Sequence, residues 1–367
     1  MRRLHVLRYL WMALLAVALA ATACGGGAAP AATQPPAKPA EATKAPAAAT
    51  TAPSGAATAA PTKAAAPAAG VPALTKEYKM SMATGGTAGT YYPYGGAIAG
   101  LWSKNIKGVT VTAETTGAAV ENQRLLGNKQ VELAITQNDI ADYSMNGTEM
   151  FKEKITNFRA VAALYPEVVQ WVVTPDIKSM AELKGKRFVV GAAASGTEAN
   201  TRQILEANGI TYKDLGKAAY LSYAEAAAAM KDRQMDGFAV TGGVPTSAIT
   251  DVTTALEINI LPVTGDEAKK AMDKYKFFVP TTVPKGAYKG IEADVPTIAV
   301  QAMLVAREDL DTDLVYWLTK TLIEKQPELA QAHAKGKELS KESAVKGLTA
   351  PLHPGAEKYY KEIGVIK

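Results

Sequence analysis

The sequence predicts an α/β fold in which parallel sheets are flanked by helices. From Lys76 onward, strand-like and helix-like segments alternate along the chain, an order typical of α/β domains. Two glycine-rich turns, residues 83–96 and 191–200, each connect a strand-like segment to a helix-like one, and they fall in different halves of the chain. Ligands bind beyond the carboxyl ends of the strands in open α/β sheets. Two such sheets that faced each other would therefore close on a ligand between them.

Local residue patterns place the individual elements. Runs of β-branched and aromatic residues bounded by turn residues predict strands at residues 78–82, 109–113, 131–135, 159–164, 168–173, 188–190, 236–240, 258–263, 277–283 and 297–305. Helical segments are predicted to begin near residues 97, 118, 139, 195, 223, 245, 312, 328 and 355. Ser195 with Glu198, and Ser222 with Glu225, have the spacing of a capping box, which marks two of these helix starts.

Residues 1–23 are predicted to be a secretory signal peptide. The segment has a basic start with Arg2, Arg3 and Arg8, an apolar stretch at residues 9–20 and small residues at its end, which is the pattern of a cleaved signal. Cys24 follows directly, and the arrangement resembles a bacterial lipobox, with alanine at position 21 where leucine is commonest. We therefore expect Cys24 to be lipidated. The alternative is an ordinary cleaved signal followed by a chance cysteine.

Residues 24–75 are predicted to form a disordered linker behind the lipidated cysteine. Ala, Pro and Thr dominate this segment, and such a composition buries too little apolar surface to offset its ordering entropy. The rest of the chain is long enough for one or two domains. Three of the 40 basic residues lie in the signal peptide, so the others nearly balance the 35 acidic residues. This balance predicts no nucleic-acid partner.

The motifs that enzymes require are missing from the sequence. Beyond the signal peptide there are only two histidines, His333 and His353, and neither lies beside a nucleophile motif. Cys24 is the only cysteine, and no cluster of carboxylates has the spacing of a metal site. We therefore predict a protein that is not an enzyme, with no catalytic residue, cofactor or metal.

Four polar turns at the ends of predicted strands are the candidate binding positions, at residues 83–96, 135–139, 191–200 and 241–243. The first lacks the Lys-Ser/Thr ending of a P-loop and does not match G-x-G-x-x-G, which argues against a nucleotide. A glycine-rich turn before a helix can instead bind a carboxylate through backbone N–H groups, or it can be a structural turn only. Tyr91, Tyr92 and Tyr94 follow the glycines closely and favour a ligand pocket.

Eight stretches of the chain resemble, in order, signatures of the TAXI family, the extracytoplasmic solute receptors of TRAP transporters. They are residues 83–96, 116–122, 134–141, 164–167, 183–187, 191–200, 221–226 and 351–356. Together they cover nearly all of residues 76–367, and the resemblance does not include residues 25–75. Two departures concern local backbone geometry, since Ala88 stands where glycine is frequent and alanines at 192–194 replace a more Pro/Gly-rich turn.

The resemblance implies a type II periplasmic-binding-protein fold, with two α/β lobes joined by hinge strands and a ligand cleft between them. Residues 76–170 together with 275–367 would form lobe I, and residues 171–274 would form lobe II. The ligand-binding residues that the resemblance implies are Gly85, Gly86, Thr87, Tyr91, Tyr92, Asn122, Gln137, Ser195, Gly196, Thr197, Glu198 and Thr241.

The resemblance also implies a function. The protein would be an extracytoplasmic receptor, anchored to the membrane by its lipid, that captures glutamate, glutamine or a related small dicarboxylate. It would deliver this ligand to the membrane subunits of a TRAP transporter. No arginine lies within the four candidate turns, so neutral donors would hold the carboxylate. The alternative is a sensory ligand-binding protein of the same fold that passes its closed state to a signalling partner.

Overall fold

The computed structural model describes residue 74 and residues 76–367. The predicted signal peptide, the lipidation site at Cys24 and nearly all of the predicted linker lie outside these residues. In the part of the chain that is described, no helix is both long enough and apolar enough to cross a membrane.

Strands and helices alternate along the described chain, as the sequence predicts. The strands are β1 (Tyr78–Ala83), β2 (Val109–Glu114), β3 (Leu133–Gln137), β4 (Phe158–Val173), β5 (Arg187–Val189), β6 (Lys217–Ala219), β7 (Gly237–Gly242), β8 (Asn259–Leu261), β9 (Val279–Val283) and β10 (Val295–Arg307). The helices are α1 (Tyr91–Asn105), α2 (Ala119–Gly127), α3 (Asn138–Asn146), α4 (Gly196–Ala207), α5 (Tyr223–Lys231), α6 (Ser247–Ala255), α7 (Gly265–Lys274), α8 (Thr312–Glu324), α9 (Gln326–Ala332) and α10 (Pro354–Glu362).

The strands form one mixed sheet in the order β2-β1-β3-β10-β4-β7-β5-β6, while β9 pairs with β10 and β8 pairs with β4. Strand β1 pairs in parallel with β2 and β3, and we call these three the first strand group. Strand β5 pairs in parallel with β6 and β7, and these form the second strand group. The two groups lie on opposite sides of β10 and β4.

Strands β4 and β10 are long and antiparallel, and they run from one strand group to the other. The first part of β4 pairs with β10, and its last residues pair with β7 and β8. The sheet is therefore mixed and not only parallel, and the two strands predicted at residues 159–164 and 168–173 are one continuous strand. A strand that passes directly between two groups needs no helical crossover, so its neighbours can be antiparallel. Pro166, which has no N–H to donate, lies opposite a register shift in β10 between Gln301 and Met303.

Buried aromatic side chains hold the helices against the two strand groups. Trp102 of α1 is fully buried, and its indole Nε1 donates to the carbonyl oxygen of Leu318 in α8 at 2.8 Å. On the other side, Trp171 of β4 and Phe188 of β5 form an edge-to-face pair with ring centroids 6.1 Å apart. These contacts tie α1 to α8 and β4 to β5 within the core.

The fold class predicted from the sequence is confirmed as α/β with a type II periplasmic-binding-protein architecture, in which crossing strands join two α/β parts. The exact lobe limits stay a prediction. The limit predicted between residues 170 and 171 falls inside the continuous strand β4.

Candidate functional site

A cavity of about 90 Å³ lies where both strand groups meet their first helices. A single water needs roughly 10–15 Å³ by this measure, so the cavity can hold a small molecule. Its walls are Gly85, Gly86, Gly89, Thr90, Tyr91, Thr116, Gly117, Ala118, Ala119, Gln137, Glu167, Ala192, Ser195, Gly196, Thr197, Ser222, Tyr223, Thr241 and Gly242.

Four helices begin at this cavity. The residues that precede their first turns are Thr90 for α1, Ala118 for α2, Ser195 for α4 and Ser222 for α5, and all four line the cavity. The first N–H groups of a helix have no intrahelical partner, and the helix dipole adds partial positive charge at this end. Four such ends around one cavity make an environment that favours an anion.

The cavity wall contains no lysine or arginine. An anion bound there would therefore rest on backbone N–H groups and hydroxyls, as the sequence predicts for its candidate turns. Ser195 is already engaged as the cap of α4, since its Oγ accepts from the N–H of Glu198 at 3.1 Å. The N–H groups of Gly196 and Thr197 are the free donors that the first turn of α4 offers.

Two alanines beside the cavity have positive φ angles, a conformation that costs an alanine free energy. Ala118 has a φ of 81° and Ala194 has a φ of 57°. The N–H of Glu121 in α2 donates to the carbonyl oxygen of Ala194 at 3.2 Å, which ties the start of α2 to the turn before α4. The alanine-rich turn at residues 192–194 thus takes up a conformation that glycine would adopt more easily.

Glu167 is a buried carboxyl group in the cavity wall, and it lies in β4 where this strand crosses between the two groups. It is 1% exposed, and its Oε2 accepts from Nε2 of Gln137 at 2.8 Å. Burial raises the pKa of Glu167 to about 8, while hydrogen bonding counteracts part of this shift. Its Oε1 and the Oε1 of Gln137 have no hydrogen-bond partner.

Tyr91 and Tyr223 are the aromatic walls of the cavity. Burial and the carboxyl group of Glu167 raise the pKa of Tyr91 well above its usual range, and its hydroxyl lies near that carboxyl group without a hydrogen bond of regular geometry. The Tyr223 hydroxyl donates to the Thr241 carbonyl at 2.9 Å and accepts from the Thr241 N–H at 3.1 Å. It also contacts the hydroxyl of Thr197. Tyr223 therefore fixes the start of α4 against β7, whereas the Tyr91 hydroxyl can donate to a ligand.

Polar contacts join the helices on either side of the cavity. The N–H of Gly243, just after β7, donates to Thr90 Oγ1 at 3.1 Å. Farther out, Asn200 of α4 donates to Asp139 of α3 at 2.7 Å, and burial raises the pKa of Asp139 to about 6. These contacts join the two sides of the cavity, and we call this arrangement closed.

The structure brings together most of the predicted ligand-binding residues. Those in the cavity wall are Gly85, Gly86, Tyr91, Gln137, Ser195, Gly196, Thr197 and Thr241. Their role in binding stays a prediction, but they share one cavity although they come from distant parts of the sequence.

Four predicted residues lie outside the cavity wall, namely Thr87, Tyr92, Asn122 and Glu198. Thr87 is exposed. Tyr92 follows Tyr91 on α1, so its side chain leaves the helix about 100° away. The carboxylate of Glu198 accepts from the Tyr212 hydroxyl at 2.9 Å, so it is turned away from the cavity.

Asn122 is fully buried, and its side chain is hydrogen-bonded to other parts of the protein. Its Nδ2 donates to the carbonyl oxygens of Thr84 at 2.6 Å and Ile135 at 2.8 Å, and its Oδ1 accepts from the Thr116 hydroxyl at 2.6 Å. Every polar atom of the side chain is thus occupied by the protein. Asn122 ties β1, β3 and the turn before α2 together.

We expect Asn122→Ala to lower stability. The change leaves two buried carbonyl oxygens without donors, which costs about 1–3 kcal/mol for such groups. Urea unfolding followed by circular dichroism would measure this loss. The control is Asn146→Ala at the exposed end of α3, where a change within about 0.5 kcal/mol is expected. Equal stability of both variants would contradict the structural role of Asn122.

Sequence reasoning missed several residues of the cavity wall, of which Glu167 and Tyr223 matter most. Both occur in stretches that carry the family resemblance, residues 164–167 and 221–226. A charged residue in the middle of an otherwise apolar strand was the available signal for Glu167. The capping box at Ser222 was recognised, but nothing in the sequence connected it to the other helix starts.

The two histidines of the described chain have structural partners. Nδ1 of His353 accepts from the N–H of Gly355 at 3.2 Å and caps α10. Nδ1 of His333 accepts from the N–H of Lys335 at 3.2 Å. Across the described residues, no group of three or more His, Cys, Asp or Glu side chains could hold a metal ion.

The model of the NMT1-like family matches residues 82–364. This match covers most of the sequence, and the chain belongs to the NMT1-like family. The narrower resemblance to the TAXI family stays a prediction.

Solved structures of binding proteins show a more distant likeness. The alkanesulfonate-binding protein SsuA from Xanthomonas axonopodis pv. citri, bound to MOPS, is 11% identical over 78% of this chain and 85% of its own, with a TM-score of 0.43. A Prochlorococcus marinus protein in complex with methylphosphonate is 14% identical over 78% and 99%, with a TM-score of 0.45. A Bordetella pertussis extracytoplasmic solute receptor that binds pyroglutamic acid is 12% identical over 78% and 93%, with a TM-score of 0.41.

Proposed function

We propose that this protein is an extracytoplasmic solute-binding receptor for a small carboxylate, and that it is not an enzyme. The observation that carries the proposal is the convergence of four helix N-termini on one small cavity without lysine or arginine. Such a site attracts an anion through hydrogen bonds and dipoles. Its wall contains no cysteine, histidine or lysine, and a transport receptor must release its ligand unchanged.

The size of the cavity supports a ligand of the glutamate or glutamine class, or a related dicarboxylate. The cavity of about 90 Å³ is several times the roughly 10–15 Å³ that one water needs, so it admits a small molecule and not a large one. The carboxylate would bind at the first turn of α4, where Gly196 and Thr197 present their N–H groups. Tyr91 would form an apolar wall and place its hydroxyl beside the ligand.

We also propose that the receptor delivers its ligand to the membrane subunits of a TRAP transporter. The resemblance of residues 83–96 and 191–200 to TAXI signatures supports this partner. The signal-like residues 1–23 and Cys24 support lipid anchoring outside the cytoplasm. Strands β4 and β10 would act as the hinge of the closing movement. A transporter operon adjacent to the gene would favour uptake, and an adjacent signalling gene would favour the sensory alternative.

A thermal-shift screen of purified protein against amino acids and small dicarboxylates tests the receptor function. A ligand at 100 times its Kd stabilises the folded state by about 2.7 kcal/mol. Mass spectrometry of the recovered compound then separates a receptor from an enzyme. Stabilisation by a compound that is recovered unchanged supports the proposal. A compound that is chemically converted, or a screen in which no acid stabilises the protein, would overturn it.

Tyr91→Phe is expected to weaken ligand binding about five- to tenfold, because it removes one hydrogen bond worth about 1 kcal/mol. The folded state should keep its stability, since the hydroxyl makes no hydrogen bond of regular geometry within the protein. Tyr94→Phe is the matched control, because it also removes a buried hydroxyl without a partner but lies outside the cavity wall. Calorimetry with the ligand found in the screen would measure both. Unchanged affinity of Tyr91→Phe would reduce Tyr91 to an apolar wall.

A further inference from the structure

Glu167 is a carboxyl group buried in the cavity wall without a cationic partner. Such a group is costly to ionise unless a positive charge compensates it. The groups that act on it electrostatically or by hydrogen bonding are the Tyr91 and Tyr165 hydroxyls, the Gln137 amide and the buried carboxyl of Asp139. The carboxyl group in turn acts on the neighbouring Tyr223 hydroxyl. None of these groups is positively charged.

Two oxygen atoms at this place make no hydrogen bond of regular geometry, although the Tyr91 and Tyr165 hydroxyls lie close enough to the Glu167 carboxyl group to favour its charged form. Gln137 uses its Nε2 on Glu167 Oε2 at 2.8 Å, and this leaves Gln137 Oε1 and Glu167 Oε1 without partners. An amide oxygen can only accept, and an ammonium group carries three N–H donors. A ligand ammonium group would satisfy both oxygens and neutralise the carboxylate, whereas a second carboxylate would be repelled by them.

The side chain of Gln137 lies against the start of α4. A Cβ atom added to Gly196 would come within 1.7 Å of Gln137 Oε1, so the amide of Gln137 packs directly on the first residue of this helix. The acceptor pair and the N–H groups of α4 are thus adjacent. This proximity matches a compound that carries its ammonium and carboxylate groups on neighbouring atoms.

We propose that Glu167 and Gln137 bind the ammonium group of the ligand, so that the ligand of this receptor is an α-amino acid and not a simple dicarboxylate. The inference rests on the proposed receptor function and narrows its ligand class. Glu167 becomes the specificity-determining residue, and the α4 N-terminus binds the neighbouring carboxylate. The opposite orientation of the Gln137 amide, with a protonated Glu167 as donor, would instead select an additional ligand carboxylate or carbonyl.

Matched pairs of compounds with and without the amino group test the inference. The probes are L-glutamate with glutarate, L-aspartate with succinate and L-alanine with propionate, each titrated calorimetrically into the unmodified protein. We expect at least one amino acid to bind, and to bind at least about tenfold more tightly than its partner, as is typical for hydrogen bonds to a charged group. Equal or tighter binding of the deaminated partner would overturn the inference and leave the receptor function standing. Binding of none of the six would overturn both.

Proton release gives a second readout that a structural role of Glu167 would not produce. Because burial raises the pKa of Glu167 to about 8 in the empty cavity, the carboxyl group is mostly protonated at pH 7 and must ionise to pair with an ammonium group. Binding should therefore release close to one proton at pH 7, measured by calorimetry in buffers with different ionisation enthalpies. The affinity of the amino acid should also rise from pH 6 to pH 8. Proton uptake on binding, or an affinity that falls over this range, would indicate the protonated arrangement and overturn the inference.

Glu167→Gln keeps the size of the side chain and removes its charge. This variant should lose at least about tenfold in affinity for the amino acid, release no proton and bind the deaminated partner as before. If Glu167→Gln still released a proton on binding, that proton would come from another group, and the proposed role of Glu167 would be overturned. The two measurements on the unmodified protein stand even where this variant fails to fold.

Discussion

Replacing Gly196 by alanine is expected to lower stability by about 1–3 kcal/mol, which is what overpacking costs a folded protein. It should also weaken ligand binding, because Gln137 would be displaced from its place in the cavity wall. The added Cβ would lie 1.7 Å from Oε1 and 2.4 Å from Cδ of Gln137. Gln137 is buried and hydrogen-bonded to Glu167, so it can move away only by breaking that bond. Urea unfolding measures the loss of stability, and isothermal titration calorimetry with the ligand found by screening measures the loss of affinity.

Gly100→Ala is the matched control for this change. Gly100 lies in α1, and no atom is within 4 Å of the position that its Cβ would occupy. The control should bind ligand normally and should be slightly more stable, because alanine favours a helix over glycine by about 1 kcal/mol. If Gly196→Ala bound the ligand with unchanged affinity, Gln137 and the N-terminus of α4 would have to move apart in the ligand complex. That result would contradict the closed arrangement as the binding state.

The sequence was sufficient to predict most of the fold because local patterns carry that information. Alternating strands and helices, capping residues and glycine turns are properties of short segments. The antiparallel course of β4 and β10 was not predictable in this way. Which strands become neighbours depends on contacts between segments such as residues 158–168 and 299–307, which are far apart along the chain and share no local signal.

The candidate site was predictable only in part, for a related reason. The sequence predicts the start of α4 at Ser195, but it predicts the start of α1 near residue 97, whereas α1 begins at Tyr91 inside the predicted turn. The residues before both helices line the cavity. The start of α2 is predicted near residue 118, in agreement with the structure, although Ala118 has no side-chain cap. The family resemblance implies that Asn122 binds the ligand, but its hydrogen bonds go to Thr84, Ile135 and Thr116. Such partners become visible only when β1 and β3 are placed side by side.

The pKa of Glu167 depends on its burial. The sequence alone does not show how deeply a single residue is buried. A glutamate on an exposed strand would be an ordinary carboxylate. Here the residue lies at the crossing of β4 between the strand groups and is 1% exposed. Burial without a cation then raises its pKa to about 8 from the ordinary value of 4.5. The protonation state of Glu167 therefore depends on its hydrogen bond with Gln137 and on the ligand that enters the cavity.

The ligand-free protein is expected to lose stability as the pH rises from 5 to 9. The pKa of Glu167 is higher in the folded state than in the unfolded chain, so the folded state binds its proton more tightly. This contribution is fully present below pH 4.5 and is lost as the pH rises through about 8. At 1.36 kcal/mol per pKa unit the loss is on the order of 5 kcal/mol. Asp139, whose pKa is raised to about 6, adds a smaller loss that is complete near neutral pH.

Glu167→Gln isolates the contribution of this carboxyl group, because the amide stays neutral at every pH. Urea unfolding at pH 5 and pH 9 should show similar stability of variant and unmodified protein at pH 5, and a variant that is more stable by several kcal/mol at pH 9. Asp139→Asn is the matched comparison, and its advantage should already be complete at pH 7. Identical pH profiles for Glu167→Gln and the unmodified protein would mean that water reaches Glu167 in the free state. The carboxyl group would then ionise normally, and the cavity would stand open until the ligand binds.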